Sequence, residues 1–204
     1  MTRKPAEDRK AEILATTLRL ADELGPDRLT THAVAGAIGL TQPGIFRHFP
    51  TKQALWHAVA ADIRDRLTSA WERARASSET PEGRIAALIE AQLGLIETNP
   101  AIPAILFSRE LRVENDALRQ AFGGLMTTFH GILAAELAQA RQDGTLRTDL
   151  DPSDGAVLLI SLVQGLAMRW SLGARGFPLR PEGLRLLAVQ MALFNTQATE
   201  GKPS

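Results

Sequence analysis

Cysteine and tyrosine are both absent from the 204-residue sequence. Without cysteine the chain has no disulfide, no thiolate metal site and no cysteine nucleophile, which suits the reducing cytoplasm. The longest apolar run, about Ala156 to Val163, is far shorter than the roughly 18 residues expected of a membrane-spanning helix. The N-terminus, MTRKPAEDRKAE, is charged and lacks the apolar core of a signal peptide. We therefore expect a soluble, cytoplasmic protein that does not contact a membrane.

Sequence motifs of the common enzyme classes are also missing. There is no P-loop, no glycine-rich dinucleotide turn, no GxSxG elbow, and no histidine or carboxylate pair at metal spacing near His130. We expect a protein that is not an enzyme and carries neither cofactor nor metal. The formal net charge is zero, so binding to a nucleic acid would have to depend on a local patch of charge.

The period-two alternation of β-strands is absent, and so are internal repeats. Apolar residues instead recur at helical spacing between proline, glycine and capping residues. The pattern predicts an all-α protein of about nine helices. Their predicted limits are about 6–24, 31–38, 41–49, 52–75, 81–98, 101–111, 114–142, 152–172 and 181–197.

One stretch, from Arg28 to Ala61, contains no aspartate or glutamate. Arg28, Arg47 and Lys52 give it positive charge. It also holds three histidines, at positions 32, 48 and 57. A polyanion needs such a surface, although a surface hairpin that happens to lack acids would have the same composition.

Two short helices are predicted to meet inside this stretch. The first, about 31–38, ends at Gly39, because glycine adopts a left-handed conformation at little steric cost. Thr41 is a suitable N-cap for the second, and Pro43 is tolerated in its first turn. The second helix reaches about Phe49. Two helices joined by such a tight turn form a helix-turn-helix, whose second helix can enter the major groove of DNA.

The segment TTHAVAGAIGLTQPGIFRHFPTKQALWHAV resembles the DNA-binding signature of the TetR family of bacterial transcriptional repressors. The resemblance extends over about Ile13 to Val59 without an insertion. The rest of the chain resembles the family only in length and helix order. The resemblance implies a helix-turn-helix DNA-binding domain over residues 1–52 and a helical ligand-binding and dimerisation domain over residues 53–204.

The resemblance also implies a set of DNA contacts: Thr31, Thr41, Gln42, Pro43, Gly44, Phe46, Arg47, His48 and Lys52. The Gln42 amide and the Pro43 ring would lie at base edges. Gly44 would let the DNA approach closely, and Arg47 would reach a guanine or a phosphate.

Phosphates would be bound by the hydroxyl and backbone N–H of Thr31 and by the side chains of His48 and Lys52. Phe46 departs from the family pattern, which usually has a tyrosine there whose hydroxyl bonds a phosphate. Phenylalanine retains the ring contact and loses that bond, so we expect a weaker grip on the DNA backbone with no change of fold.

The last two long helices are too apolar to face water, which predicts a dimer formed by four helices, two from each chain. The expected interface residues are Leu159, Leu162, Val163, Leu166, Leu187, Met191 and Phe194. The alternative is that these side chains fill the core of one chain.

The resemblance further implies an effector pocket among helices four to eight. Its candidate residues combine apolar walls with a few polar groups: Gln92, Phe107, Met126, Phe129, His130, Gln164 and Trp170. Phenylalanine and methionine at helical spacing are more often core residues, and a lone histidine is more often structural. The apolar excess favours a hydrophobic or aromatic effector.

The resulting hypothesis is a sequence-specific, homodimeric repressor that binds a palindromic double-stranded DNA operator and is released by a small molecule. Two alternatives remain at this point: a regulator or activator that needs no ligand, and a small-molecule-binding all-α protein with a vestigial DNA-binding domain. Only the missing hydroxyl at Phe46 favours the last of these.

Overall fold

The computed structural model describes residues 5–108 and 115–195. These residues form nine α-helices and one 3₁₀ turn, with a single isolated bridge between Leu146 and Asn195 and no β-strand. In chain order the helices are α1 Ala6–Leu24, α2 Thr31–Ala37, α3 Gln42–Phe46, α4 Lys52–Arg75, α5 Pro81–Thr98, α6 Ala101–Phe107, α7 Asp116–Gln142, α8 Pro152–Leu172 and α9 Leu179–Phe194. The 3₁₀ turn is Pro26–Arg28. The predicted all-α class is confirmed.

Two predicted helix starts carry the expected caps. The Thr51 hydroxyl accepts a hydrogen bond from the Ala54 N–H at 2.9 Å, at the start of α4. The Asp151 carboxylate accepts from the Ser153 N–H at 2.8 Å, at the start of α8. Each cap satisfies an amide that the first turn of a helix leaves without a partner.

Other helix limits differ from the prediction. Helix α6 ends at Phe107 instead of near residue 111, because Ser108 is extended and its hydroxyl donates to the Ile105 carbonyl at 3.1 Å. Helix α7 follows Asn115, whose side-chain oxygen accepts from the Leu118 N–H at 3.1 Å. The predicted limits at residues 111 and 114 lie outside the described part of the chain.

Contacts divide the chain into two compact units. One comprises Met1–Thr68 and Leu95–Leu125, and the other Ser69–Gly94 and Met126–Ser204. The predicted DNA-binding segment, residues 1–52, belongs to the first unit. The chain passes between the units within helices α4, α5 and α7.

In the first unit, α1 packs against α2, α6 and the 3₁₀ turn, and α2 packs against α3. The fully buried side chains of its core include Ile13, Leu29, Val34, Ile45 and Leu55. Full burial of each contributes about 1.5–3 kcal/mol. The core therefore lies directly beneath the short helices α2 and α3.

In the second unit, the Trp71 indole stacks on the Phe129 ring, with centroids 4.6 Å apart and planes 19° apart. The same unit buries the carboxylate of Glu136. That carboxylate accepts hydrogen bonds from the Arg75 Nε at 3.0 Å and from the Arg84 Nε at 2.7 Å. A buried charge is tolerated only when it is paired in this way.

Helix α8 packs against α9 and is apolar on nearly every side. Among the described residues it is the one helix long and apolar enough to cross a membrane by length and composition, although the apolar run from Ala156 to Val163 is short. The buried core helix of a soluble protein meets the same test. Leu159, Val163 and Trp170 are buried within the chain, so part of the apolar surface of α8 belongs to its core.

Gly183 of α9 lies where a side chain would overlap the Cδ1 atom of Leu93. We expect Gly183→Ala to destabilise the fold by about 1–3 kcal/mol through overpacking. Gly131→Ala is the matched control, because a β-carbon there meets no described atom within 4 Å. Alanine in that helix should stabilise by about 0.5–1 kcal/mol. Urea unfolding at one fixed protein concentration measures both effects; equal midpoints for the two variants would contradict the packing described.

Candidate nucleic-acid interface

Helices α2 and α3 are joined by a tight turn at Gly39, whose φ of 68° lies in the left-handed region that glycine adopts readily. The turn is held by the Leu40 N–H, which donates to the Ala35 carbonyl at 2.9 Å. The start of α2 is capped by Thr30, whose hydroxyl accepts from the Ala33 N–H at 3.1 Å. The predicted helix-turn-helix is present.

Helix α3 is shorter than predicted, ending at Phe46 instead of near Phe49. One further helical bond, from the Phe49 N–H to the Ile45 carbonyl at 2.9 Å, extends the turn. Pro50 ends it, because proline disfavours the helical conformation in the residue before it. At the other end Thr41 is the N-cap, as predicted; its backbone carbonyl accepts from the Gly44 N–H at 2.8 Å, and its hydroxyl makes no cap bond.

The two faces of α3 differ in burial. Ile45 points into the core and is fully buried, as is most of Phe49. The exposed residues of this segment are Thr41, Gln42, Pro43, Phe46 and Arg47. We call these five residues the α3 surface. His48 and Lys52 are half-buried beside it, so most of the predicted DNA contacts share one side of the helix.

Two of the predicted contact residues are buried. Gly44 is covered, and a β-carbon there would lie 3.5 Å from the Leu40 Cβ and from the Thr41 Oγ1. Thr31, the first residue of α2, is only 6% exposed. Its hydroxyl oxygen accepts a hydrogen bond from the Gln42 Nε2 at 2.9 Å. Periodicity cannot predict this bond, because it links the first residues of two different helices.

The segment that contains the α3 surface, Arg28 to Ala61, has basic residues and no acid. Asp62 is the first acid after the acid-free stretch, and its carboxylate is 2.9 Å from the Arg66 guanidinium in a partly exposed salt bridge. The nearest negative charge on α4 is thus already paired. Arg47 and Lys52 therefore lie in a segment whose formal charge has one sign.

The residues predicted to bind an effector fall into separate groups. Gln92 and Phe129 belong to the core of the second unit, where the Gln92 side-chain oxygen accepts from the Trp71 Nε1 at 3.0 Å. The Gln164 amide lies 3.2 Å from the Met126 sulfur. The side chain of Phe107 lies outside the described residues.

The remaining two candidates, His130 and Trp170, also have contacts within the chain. The Nε2 atom of His130 is 3.2 Å from both the carbonyl oxygen and the hydroxyl of Ser153, at the start of α8. Trp170 is buried, with the Arg175 guanidinium 5.5 Å from its ring centroid. Each has a structural role that is sufficient without a ligand.

The residues predicted for the dimer interface lie mostly inside the chain. Those buried in the core are Leu159, Val163, Leu166, Leu187 and Phe194. Leu162 and Met191 are half-buried. The large apolar side chains that α8 and α9 expose are Val157, Leu158, Leu172, Val189 and Leu193, which are 46–80% accessible. The apolar pattern predicted two apolar faces on these helices but could not tell which face is external.

The packing of α1 on α2 and the exposed α3 surface beside a cationic, acid-free segment define a helix-turn-helix DNA-binding protein. Comparison with known proteins agrees. The family described as "Bacterial regulatory proteins, tetR family" matches residues 13–59. The family described as "BetI-type transcriptional repressor, C-terminal" matches residues 81–191.

Whole-chain relatives cover most of this protein. The nucleoid occlusion factor SlmA of Actinobacillus pleuropneumoniae is 25% identical over 174 residues, which are 83% of this chain and 84% of that protein. A transcriptional regulator from Saccharomonospora viridis, solved in complex with choline, has a TM-score of 0.78 and 21% sequence identity. The match covers 94% of this chain and 100% of that protein. FadR from Bacillus subtilis, solved with stearoyl-CoA, has a TM-score of 0.74 and 17% identity over 89% of this chain and 97% of its own.

The chain belongs to the TetR family of bacterial regulatory proteins. It is accordingly a DNA-binding transcriptional regulator, and the resemblance found in the sequence is confirmed. The members of the family that it matches are regulators and not enzymes. Regulators of this family act as dimers.

Phe46 is 37% exposed on the α3 surface, at the position where the family usually has tyrosine. We expect Phe46→Tyr to tighten DNA binding about 2- to 10-fold, because an added hydroxyl bond to a phosphate contributes about 0.5–1.5 kcal/mol. Fluorescence anisotropy with a labelled duplex measures the change. Unchanged affinity, with an unchanged melting temperature, would mean that the ring does not face the DNA backbone.

Proposed function

We propose that this protein is a homodimeric repressor that binds a palindromic operator and leaves it when a small molecule binds the second unit. The observation that supports this most strongly is the α3 surface, which exposes Gln42 and Arg47 beside an acid-free segment. The similarity of residues 81–191 to the C-terminal part of a type of repressor supports repression over activation. A cytoplasmic location follows, because the operator is there.

The DNA contacts divide into two kinds. Gln42 and Arg47 carry planar groups that match the hydrogen-bonding edges of bases in the major groove. Thr31 N–H, His48 and Lys52 bind phosphates, which position the protein without reading sequence. Pro43 and Phe46 supply apolar contacts. The buried Gly44 lies beneath the contact surface instead of against the DNA.

The dimer surface that we propose consists of the exposed apolar residues of α8 and α9. One side of α8 carries residues at helical spacing: Leu158, Gly165 and Leu172. Val189 and Leu193 are four residues apart on α9. Packing these faces against a second copy removes apolar surface that water would otherwise contact. The half-buried Leu162 and Met191 stay in the proposed interface, whereas the five buried residues support it from within.

Such a dimer presents two α3 helices to one DNA molecule. Successive major grooves on one side of the duplex are about 34–36 Å apart. The two equivalent DNA-binding segments, one head from each chain, therefore read the two halves of a palindrome. An effector that favours a conformation with a different head spacing lowers operator affinity by shifting the population of dimers.

The effector site is proposed around Met126, His130 and Gln164, which combine an apolar wall with polar groups at the margin of the second unit. A ligand that also reached Gln92 or Phe129 would have to replace their contacts with Trp71. We favour a hydrophobic or aromatic effector. Proteins of the same fold were solved with choline and with stearoyl-CoA, so compounds of both kinds belong in a screen for release of labelled operator.

The division of DNA contacts is tested with two substitutions. Lys52→Ala should weaken binding to every duplex and reduce the slope of log affinity against log salt by about one per head. Gln42→Ala should instead relax the preference at one base pair, where a bidentate contact is worth about 1–3 kcal/mol of discrimination. Anisotropy with the best duplex selected from a random-sequence pool, and with single-base variants of it, measures both.

A Gln42→Ala protein with an unaltered base preference would contradict the assignment of α3 as the recognition helix. Wild-type protein that selects no sequence from the pool would favour the vestigial-domain alternative. A salt slope that is the same in wild type and Lys52→Ala would remove Lys52 from the phosphate contacts.

The dimer surface is tested with Leu193→Glu. A carboxylate at this exposed position of α9 would be buried without a partner in the dimer, so we expect a shift to monomer at micromolar concentration. Leu24→Glu is the control, since Leu24 is also an exposed leucine but lies at the end of α1. Sedimentation velocity measures the mass of each. If the Leu193→Glu protein remains as dimeric as the Leu24→Glu protein, this surface is not the dimer interface.

A further inference from the structure

We propose that Thr31 is a positioning residue for base reading, holding the Gln42 amide so that its carbonyl oxygen accepts a hydrogen bond from adenine or cytosine. The inference rests on the proposed sequence-specific function. It assigns Thr31 a role in specificity, where the family resemblance implies only a phosphate contact.

The observation that carries it is the bond between the first residues of α2 and α3. The Gln42 Nε2 donates to the Thr31 Oγ1 at 2.9 Å, while Gln42 itself is exposed on the α3 surface. A solvent-exposed glutamine ordinarily samples many rotamers. One bonded to the protein before DNA arrives has lost part of that freedom already, so binding costs less conformational entropy.

Thr31 is a rigid partner for this bond. Its side chain is 6% exposed, and the branch at its β-carbon restricts its χ1 angle. The start of α2 is fixed by the Thr30 cap, whose hydroxyl accepts from the Ala33 N–H at 3.1 Å. Gln42 is therefore tied to a fixed point on the neighbouring helix.

The direction of the bond decides what the amide offers to DNA. A primary amide is planar, and its NH₂ donor group and its carbonyl acceptor point in different directions within that plane. With Nε2 bonded to the buried Thr31, the carbonyl oxygen points away from it and accepts from a base. In the major groove adenine and cytosine present an amino donor, whereas guanine and thymine present acceptors. The second N–H of Nε2 is then in position for adenine N7.

A direct phosphate contact by the Thr31 hydroxyl gives a different signature from positioning. Phosphate contacts carry no sequence information, so their loss weakens binding to all duplexes alike. Loss of a positioning bond weakens binding to the preferred base more than to the others. The ratio of the affinity for the preferred duplex to the affinity for the other duplexes distinguishes the two roles, whereas the affinity for one duplex does not.

The test uses the full-length protein with the variants Thr31→Val, Thr31→Ser, Gln42→Ala and the double variant Thr31→Val with Gln42→Ala. The probes are the duplex that wild-type protein selects from a random pool and its single-base variants. Thr31→Val should reduce discrimination at one base pair about 3- to 10-fold, the range of one hydrogen bond, and Thr31→Ser should retain it. In the Gln42→Ala background Thr31→Val should change discrimination no further.

Thr31→Val that lowers affinity equally for every duplex, with or without Gln42, would overturn the proposal in favour of a phosphate contact. Discrimination that Thr31→Val leaves unchanged at the base pair that responds to Gln42→Ala would also overturn it. Selection that enriches no sequence would instead overturn the proposed function, and this inference with it.

A measurement on the unsubstituted protein covers the case in which Thr31→Val does not fold. The side-chain amide of Gln42 should be more ordered on the picosecond-to-nanosecond timescale than that of Gln53, an exposed glutamine on α4. NMR order parameters of the two NH₂ groups in DNA-free protein make the comparison. Equal mobility of the two amides would overturn the proposal.

Discussion

The burial of Ile45 is the contact on which the DNA-binding surface depends. Helix α3 has five residues, far fewer than the roughly 12–15 that an isolated helix needs in water. Its conformation is therefore maintained by packing, with Ile45 fully buried in a core that also contains Val34 and Leu29. Because one face of α3 is fixed to this core, the opposite face is held outward. The orientation of Gln42 and Arg47 thus follows from an apolar contact on the other side of the helix.

A buried face and an exposed face also distinguish the two sides of the last two helices of the second unit. Helices α8 and α9 each bury one apolar side within the chain and expose another. Helix α8 is therefore apolar enough in composition to cross a membrane, although its residues are not uniformly buried. An exposed leucine such as Leu172 is unremarkable singly, but five large apolar side chains on two packed helices are the composition of an interface. In the proposed dimer a second copy of the chain covers this surface.

Local features of the structure were predictable from sequence, and contacts between helices were not. The caps at Thr51 and Asp151 and the left-handed Gly39 depend on residues close in the chain, and all were predicted. The bond between Thr31 and Gln42 joins two helices, and no periodic pattern records it. The internal and external faces of α8 were not separable either, because a helix that is apolar all round has no polar side to mark its exposure.

We propose that a local, acid-free surface gives this electrically neutral chain a sequence-selective affinity for DNA. The most direct measurement is fluorescence anisotropy of the full-length protein on a duplex from just upstream of its own reading frame, against a shuffled duplex of the same composition, over a range of salt. We expect tighter binding to the upstream duplex and an affinity that falls steeply with salt. Equal, salt-independent affinity for the two duplexes would contradict it.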